Sequence, residues 1–93
     1  MKQREIFCRV TGRVQMVMFR DFASRHARSL SVTGWVRNES DGSVSLLAQG
    51  EEEALRRLLE SLRKGPLLAH VREVSTLWRE PAETFNDFRI RYD

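Results

Sequence analysis

Over residues 5–11 apolar and polar positions alternate, with Ile6, Cys8 and Val10 on one side and Phe7, Arg9 and Thr11 on the other. That is the two-residue period of a strand, and Gly12 ends it. From about residue 20 to residue 30 the period changes. Phe19, Phe22, Ala23, Ala27 and Leu30 recur at three- and four-residue spacing and leave Asp21, Ser24, Arg25 and Arg28 to water, which predicts a helix. Segments 32–38 and 43–49 flank Glu39-Ser40-Asp41-Gly42, whose Asp-Gly pair predicts a β-hairpin. A second helix begins at Glu51, Glu52 and Glu53, where negative charge suits a helix N-terminus, and carries a stripe of Leu55, Leu58, Leu59 and Leu62. Arg63, Lys64, Gly65 and Pro66 close it. Residues 70–78 predict a strand whose imperfect alternation indicates a bulge, and residues 85–92 predict another, with Phe88, Ile90 and Tyr92 alternating against Arg89 and Arg91. Glu80-Pro81-Ala82-Glu83 connects the two.

The resulting order is β-α-β-β-α-β with one further terminal strand. It predicts an α+β, ferredoxin-like fold: an antiparallel sheet with two helices on one face. No linker, internal repeat or low-complexity segment interrupts residues 1–93, so one domain is expected, and a monomer.

Length and charge narrow the function. A chain of 93 residues builds one modest core without two lobes around a cleft, so any site lies on the surface. No apolar run approaches the ~20 residues that span a bilayer, and the charged start Met1-Lys2-Gln3-Arg4-Glu5 lacks a signal-peptide pattern. No membrane association and a cytoplasmic location are expected. The 16 basic residues are spread among 13 acids in runs no longer than two, so nucleic acid is not an expected partner. Cys8, the lone cysteine, excludes an internal disulfide or CxxC metal site and reads as a small core residue. His26 and His70 read as boundary residues, and Trp35 and Trp78 as packing.

The stretch from Gly12 to Arg20 carries the candidate chemistry. A turn delivers an arginine fork to the start of a helix, where free backbone N–H groups gather, and the combination suits a phosphate or carboxylate. Gly12-x-Val14-Gln15-x-Val17-x-Phe19-Arg20, Thr33-Gly34-Trp35-Val36-Arg37-Asn38, Asp41-Gly42-Ser43-Val44 and the ending Phe88-Arg89-Ile90-Arg91-Tyr92 together resemble acylphosphatase, from about residue 5 to residue 92. The resemblance implies a hydrolase acting on acid anhydrides. It would split the carboxyl–phosphate bond of a small-molecule acyl phosphate to carboxylate and inorganic phosphate, with no metal and no organic cofactor. By position, Arg20 matches the family's phosphate-binding arginine and Asn38 the asparagine that orients the attacking water. Gln15, Met16, Val17, Met18 and Phe19 match the loop whose backbone N–H groups cradle the phosphate.

Three residues depart from the family pattern. Met16 stands where the pattern has glycine, Met18 where it has a small residue, and Ser31 where it commonly has glycine at the helix exit. Met16 leaves three outcomes open: backbone strain of about 1–3 kcal/mol, a shifted loop, or no change if its dihedrals are ordinary. It also leaves open a second functional class, a weakened or silent module of the same scaffold that binds an anion or a partner.

Overall fold

The computed structural model describes residues 2–92. The elements are β1 (Arg4–Arg13), α1 (Phe19–Ser29), β2 (Thr33–Asn38), β3 (Val44–Gly50), α2 (Glu52–Lys64), β4 (His70–Arg79) and β5 (Phe88–Arg91). The five strands form one sheet in the order β4-β1-β3-β2-β5. Its helix-side face contributes Ile6, Cys8, Val10, Val36, Val44, Leu46, Ala48 and Phe88 to the core. Against these pack Phe19, Ala23 and Ala27 of α1, with Leu30 partly buried beside them, and Leu55, Leu58, Leu59 and Leu62 of α2, so α2 buries the whole stripe that its spacing predicts and α1 most of its own. Cys8 is fully buried there, and burial pushes its thiol up to about 11. Among the described residues no helix is long and apolar enough to cross a membrane.

Pairing of β1 with β3 and β4, and of β2 with β3, is antiparallel, whereas β2 and β5 run parallel. The sheet is therefore mixed. The connection accounts for this: residues 80–87 leave β4 at one edge, cross the end of the sheet and bring β5 back beside β2 at the far edge. The side-chain amide of Gln49 donates to the carbonyl of Glu83 at 2.5 Å along this crossing. Because β1, β2 and β5 share one direction, their C-terminal ends meet at the same end of the molecule.

Four local details differ from the periodicity. Gly12 does not end β1, which continues to Arg13 past a register shift opposite Arg72, the bulge expected in β4. At Gly12 φ is +120°, and a Cβ there would lie 2.1 Å from the carbonyl oxygen of His70, so no side chain fits. Ser24, expected in water, is buried; one residue on from Ala23, its small side chain fits the covered face. β5 is shorter than the predicted 85–92, because residues 85–87 still belong to the crossing and Asp87 already accepts the N–H of Gly34 through its carbonyl. Phe22, expected on the apolar stripe, is only half-buried, while Arg28, exposed as expected, donates to the carbonyl of Phe88 at 2.9 and 3.2 Å and ties α1 to the edge strand.

Candidate active site

β1 hands over to α1 through residues 14–18. Val14 is buried at the base. Gln15 then turns to the β2–β3 turn, where its side-chain Nε2 donates to the carbonyls of Glu39 and Ser43, each at 2.8 Å. Val17 packs against the core, while Met16 and Met18 point out. Both methionines are left-handed, with φ of 63° and 67°. Of the three outcomes open at Met16, the strained one is therefore realised, and it is realised twice; a non-glycine residue held there costs roughly 1–2 kcal/mol. Met16 is 99% exposed, so its side chain leaves the interior of the loop clear. Ser31 at the exit of α1 is left-handed too, with φ of 58°.

Met18 is also the N-cap of α1. A thioether offers no oxygen to accept the N–H groups of the first helical turn, and no side chain caps them. Those donors remain available at the positive end of the helix dipole. Asp21, in the same turn, is held by Arg25 one turn on at 3.0 Å, which offsets the charge most harmful to an anion there.

The loop forms one wall of an open cleft of about 440 Å³ whose lining includes Val14, Met16, Met18, Phe19, Arg20, Asp21, Asn38, Ile90 and Tyr92. Arg20 stacks its guanidinium over the Tyr92 ring, 4.8 Å from the centroid, and makes no ion pair with a carboxylate among the described residues. A guanidinium held by a ring face spends none of its N–H donors on a carboxylate and keeps them for a ligand. Asn38 ends β2, and its Oδ1 is buried without a hydrogen-bond partner. An unsatisfied buried acceptor is costly in a folded protein and is retained where something else fills it.

The residue after Asn38 is held from several sides. The Glu39 N–H donates to the carbonyl of Ser43 at 2.8 Å, and its own carbonyl accepts Gly42 N–H at 3.2 Å as well as Gln15. Its carboxylate accepts Ser45 Oγ at 2.5 Å and Arg37 Nε at 2.9 Å, and these two bonds, the hydroxyl first, hold its carboxyl below the ordinary value. Asn38 is thus fixed by its neighbour's bonds.

Sequence reading places Arg20 and Asn38 together with Met16, Met18 and Phe19, and all five line this one cleft. Gln15 and Val17 belong to the loop, but their side chains turn to the hairpin and the core. Tyr92, Ile90 and Val14 line the cleft without having been singled out. The signal for two of them was present in the alternation of Phe88, Ile90 and Tyr92; only the parallel placement of β5 carries that face to the end of the sheet where Arg20 stands. His26 and His70 do not line the cleft. Among the described residues no three His, Cys, Asp or Glu side chains gather as a group able to hold a metal ion.

The acylphosphatase family model matches residues 6–90. An acylphosphatase of Salinibacter ruber is 51% identical over 89 residues, covering 96% of this chain and 94% of that protein. The crystal structure of acylphosphatase from Bacillus subtilis superposes with a TM-score of 0.93 at 35% identity, covering 96% of this chain and 99% of the other. An acylphosphatase structure from Coxiella burnetii gives 0.88 at 41% identity, over 97% and 94% of the two chains. With the family model matched over residues 6–90 and a relative at 51% identity over nearly the full length of both chains, the chain belongs to the acylphosphatase family.

Proposed function

We propose that this cleft hydrolyses acyl phosphates, with Arg20 gripping the phosphate and Asn38 placing the water. The observation that carries the reading is the buried, unpartnered Oδ1 of Asn38 in the same cleft as an arginine without a carboxylate partner. The guanidinium fork takes two phosphate oxygens, while the loop N–H groups from Gln15 to Phe19 and the start of α1 take the rest. Asn38 Oδ1 accepts one hydrogen of a water and directs its oxygen at phosphorus.

An acyl phosphate is a mixed anhydride. As the water oxygen bonds to phosphorus, the phosphorus–oxygen bond to the acyl group breaks and its electron pair leaves on a carboxylate. That group is stable without protonation, so no general acid is required. The water's proton passes to a phosphate oxygen, and the products are carboxylate and inorganic phosphate. Positioning and donors facing the equatorial oxygens supply the catalysis.

The test is hydrolysis of benzoyl phosphate and acetyl phosphate by the wild type and by Arg20→Ala and Asn38→Ala. Loss of one preorganised donor or orienting group typically lowers turnover by ~10²–10³. Arg20→Ala also weakens inhibition by inorganic phosphate. A variant that keeps more than about a tenth of wild-type turnover overturns the role given to that residue. Proton transfer within the substrate further predicts a rate without a limb near pH 6.5, read from the pH profile of kcat.

A further inference from the structure

The two methionines are at odds with the free fold. Each adopts a left-handed φ, where glycine is unstrained, and each leaves its side chain in water, Met16 at 99% and Met18 at 68% exposure. Neither side chain gains much by burial, so folding alone favours glycine at both positions. Strain kept without a packing return points to a role in the bound state. The surroundings say which. Of the six large apolar side chains left exposed among the described residues, Met16, Met18 and Tyr92 line this one cleft.

We propose that Met16 and Met18 are specificity-determining residues, forming with Tyr92 an apolar rim that selects acyl phosphates with an aryl or similarly bulky apolar acyl group. The inference rests on the reading of the cleft as an acyl phosphate site. Arg20 and the loop fix the phosphate, and the acyl carbon lies one anhydride oxygen away, which brings the acyl group within reach of the rim that Met16, Met18 and Tyr92 form in the same cleft. An acetyl group offers the rim one methyl. A benzoyl group offers a ring whose edge and faces suit two unbranched, polarizable thioethers and a phenol ring. The contacts cover apolar surface that both partners otherwise expose.

The experiment compares kcat/KM for benzoyl and acetyl phosphate in the wild type and in the double variant Met16→Asn, Met18→Asn. Asparagine tolerates the left-handed region and removes the apolar surface. The Met16→Gly, Met18→Gly pair serves as a second background, and circular dichroism checks the fold of each. The benzoyl-to-acetyl ratio is expected to fall about tenfold in both backgrounds, whatever the absolute rates, the scale of a partial apolar contact. A ratio within twofold of the wild type overturns the proposal and leaves the hydrolytic reading intact. Binding of phenylphosphonate and methylphosphonate, which cannot be hydrolysed, is measured in parallel. If the wild type turns over neither substrate, the hydrolytic reading falls and the phosphonates decide the rim. A phenyl preference lost in the double variants upholds it, and equal preference overturns it.

Discussion

Two chain reversals face each other at one end of this sheet, and they are built in opposite ways. The β2–β3 turn satisfies itself. Gly42 takes φ of +93° with open space around its Cα, and Asp41 Oδ1 accepts both the N–H of Ser43 at 3.0 Å and its hydroxyl at 2.6 Å. Arg9 adds an ion pair to Asp41 at 2.5 Å. The loop before α1 puts methionine at its two left-handed positions and carries no side-chain cap. What fixes the loop is the turn, through the two bonds of Gln15. In the proposed role the loop offers its donors to a phosphate and cannot also consume them. Its conformation is therefore borrowed from a neighbour whose polar groups are already paired.

The contrast breaks most sharply at Asn38, which is expected to separate activity from stability. Asn38→Ala lowers turnover ~10²–10³-fold, yet removes an acceptor to which no protein group donates. Its urea midpoint should match or exceed that of the wild type; a large fall in the midpoint would show that Oδ1 works in the free fold. Next is the link between the two reversals. Gln15→Ala removes two hydrogen bonds and should destabilise by about 2 kcal/mol, with kcat falling alongside because the loop is released, as read by denaturant titration and single-turnover rates. Third comes Gly42→Ala. With nothing within 4 Å of a new Cβ, its effect is purely that of the dihedral, a loss of roughly 1–2 kcal/mol in thermal unfolding.

Smaller still, and opposite in sign, are Met16→Gly and Met18→Gly. Relief of strain exceeds the added freedom of the unfolded chain, so each raises stability by about 0.5–1 kcal/mol. Loss of stability in both would mean that the methionines pack somewhere in the free protein. Last is pH. Glu39 is depressed by Ser45 and then Arg37, and Asp41 by the Ser43 hydroxyl and then Arg9. A depressed carboxyl stabilises the fold at pH values above its unfolded pKa, and that contribution fades as pH falls through the folded one. The turn should thus loosen only in acid below about pH 4, and the protection of the Gly42 and Ser43 amides, measured relative to their intrinsic exchange rates, should fall there.

Much of this was readable in the order of residues, because much of it is local. Both helices follow from a 3.6-residue stripe, the hairpin from Asp41-Gly42, and the bulge from the broken alternation of β4. Arg20 and Asn38 stood out once four separated motifs were taken together. What was not readable depends on distant partners. The side chain of Gln15 is one example, since its acceptors lie 24 and 28 residues on. Tyr92 is another, because its alternation names a face and not the end of the sheet that the face reaches. The conformation of Met16 was undecided for a related reason: a methionine accepts ordinary or left-handed dihedrals, and the neighbouring turn chooses.

The stack of Arg20 on Tyr92 also has a consequence in time. Arg20 lies in the first turn of the first helix, whereas Tyr92 follows the last strand, and β5 must pair beside β2 for the two to meet. Pairings so distant along the chain fold slowly, on the millisecond-to-second scale of non-local sheets. During synthesis the first helix can form early, but its arginine waits unstacked until Tyr92 has left the ribosome and β5 has joined the sheet. The Arg20 side of the cleft is then assembled only when β5 has joined the sheet, and regain of activity after dilution from denaturant times that closing step of folding.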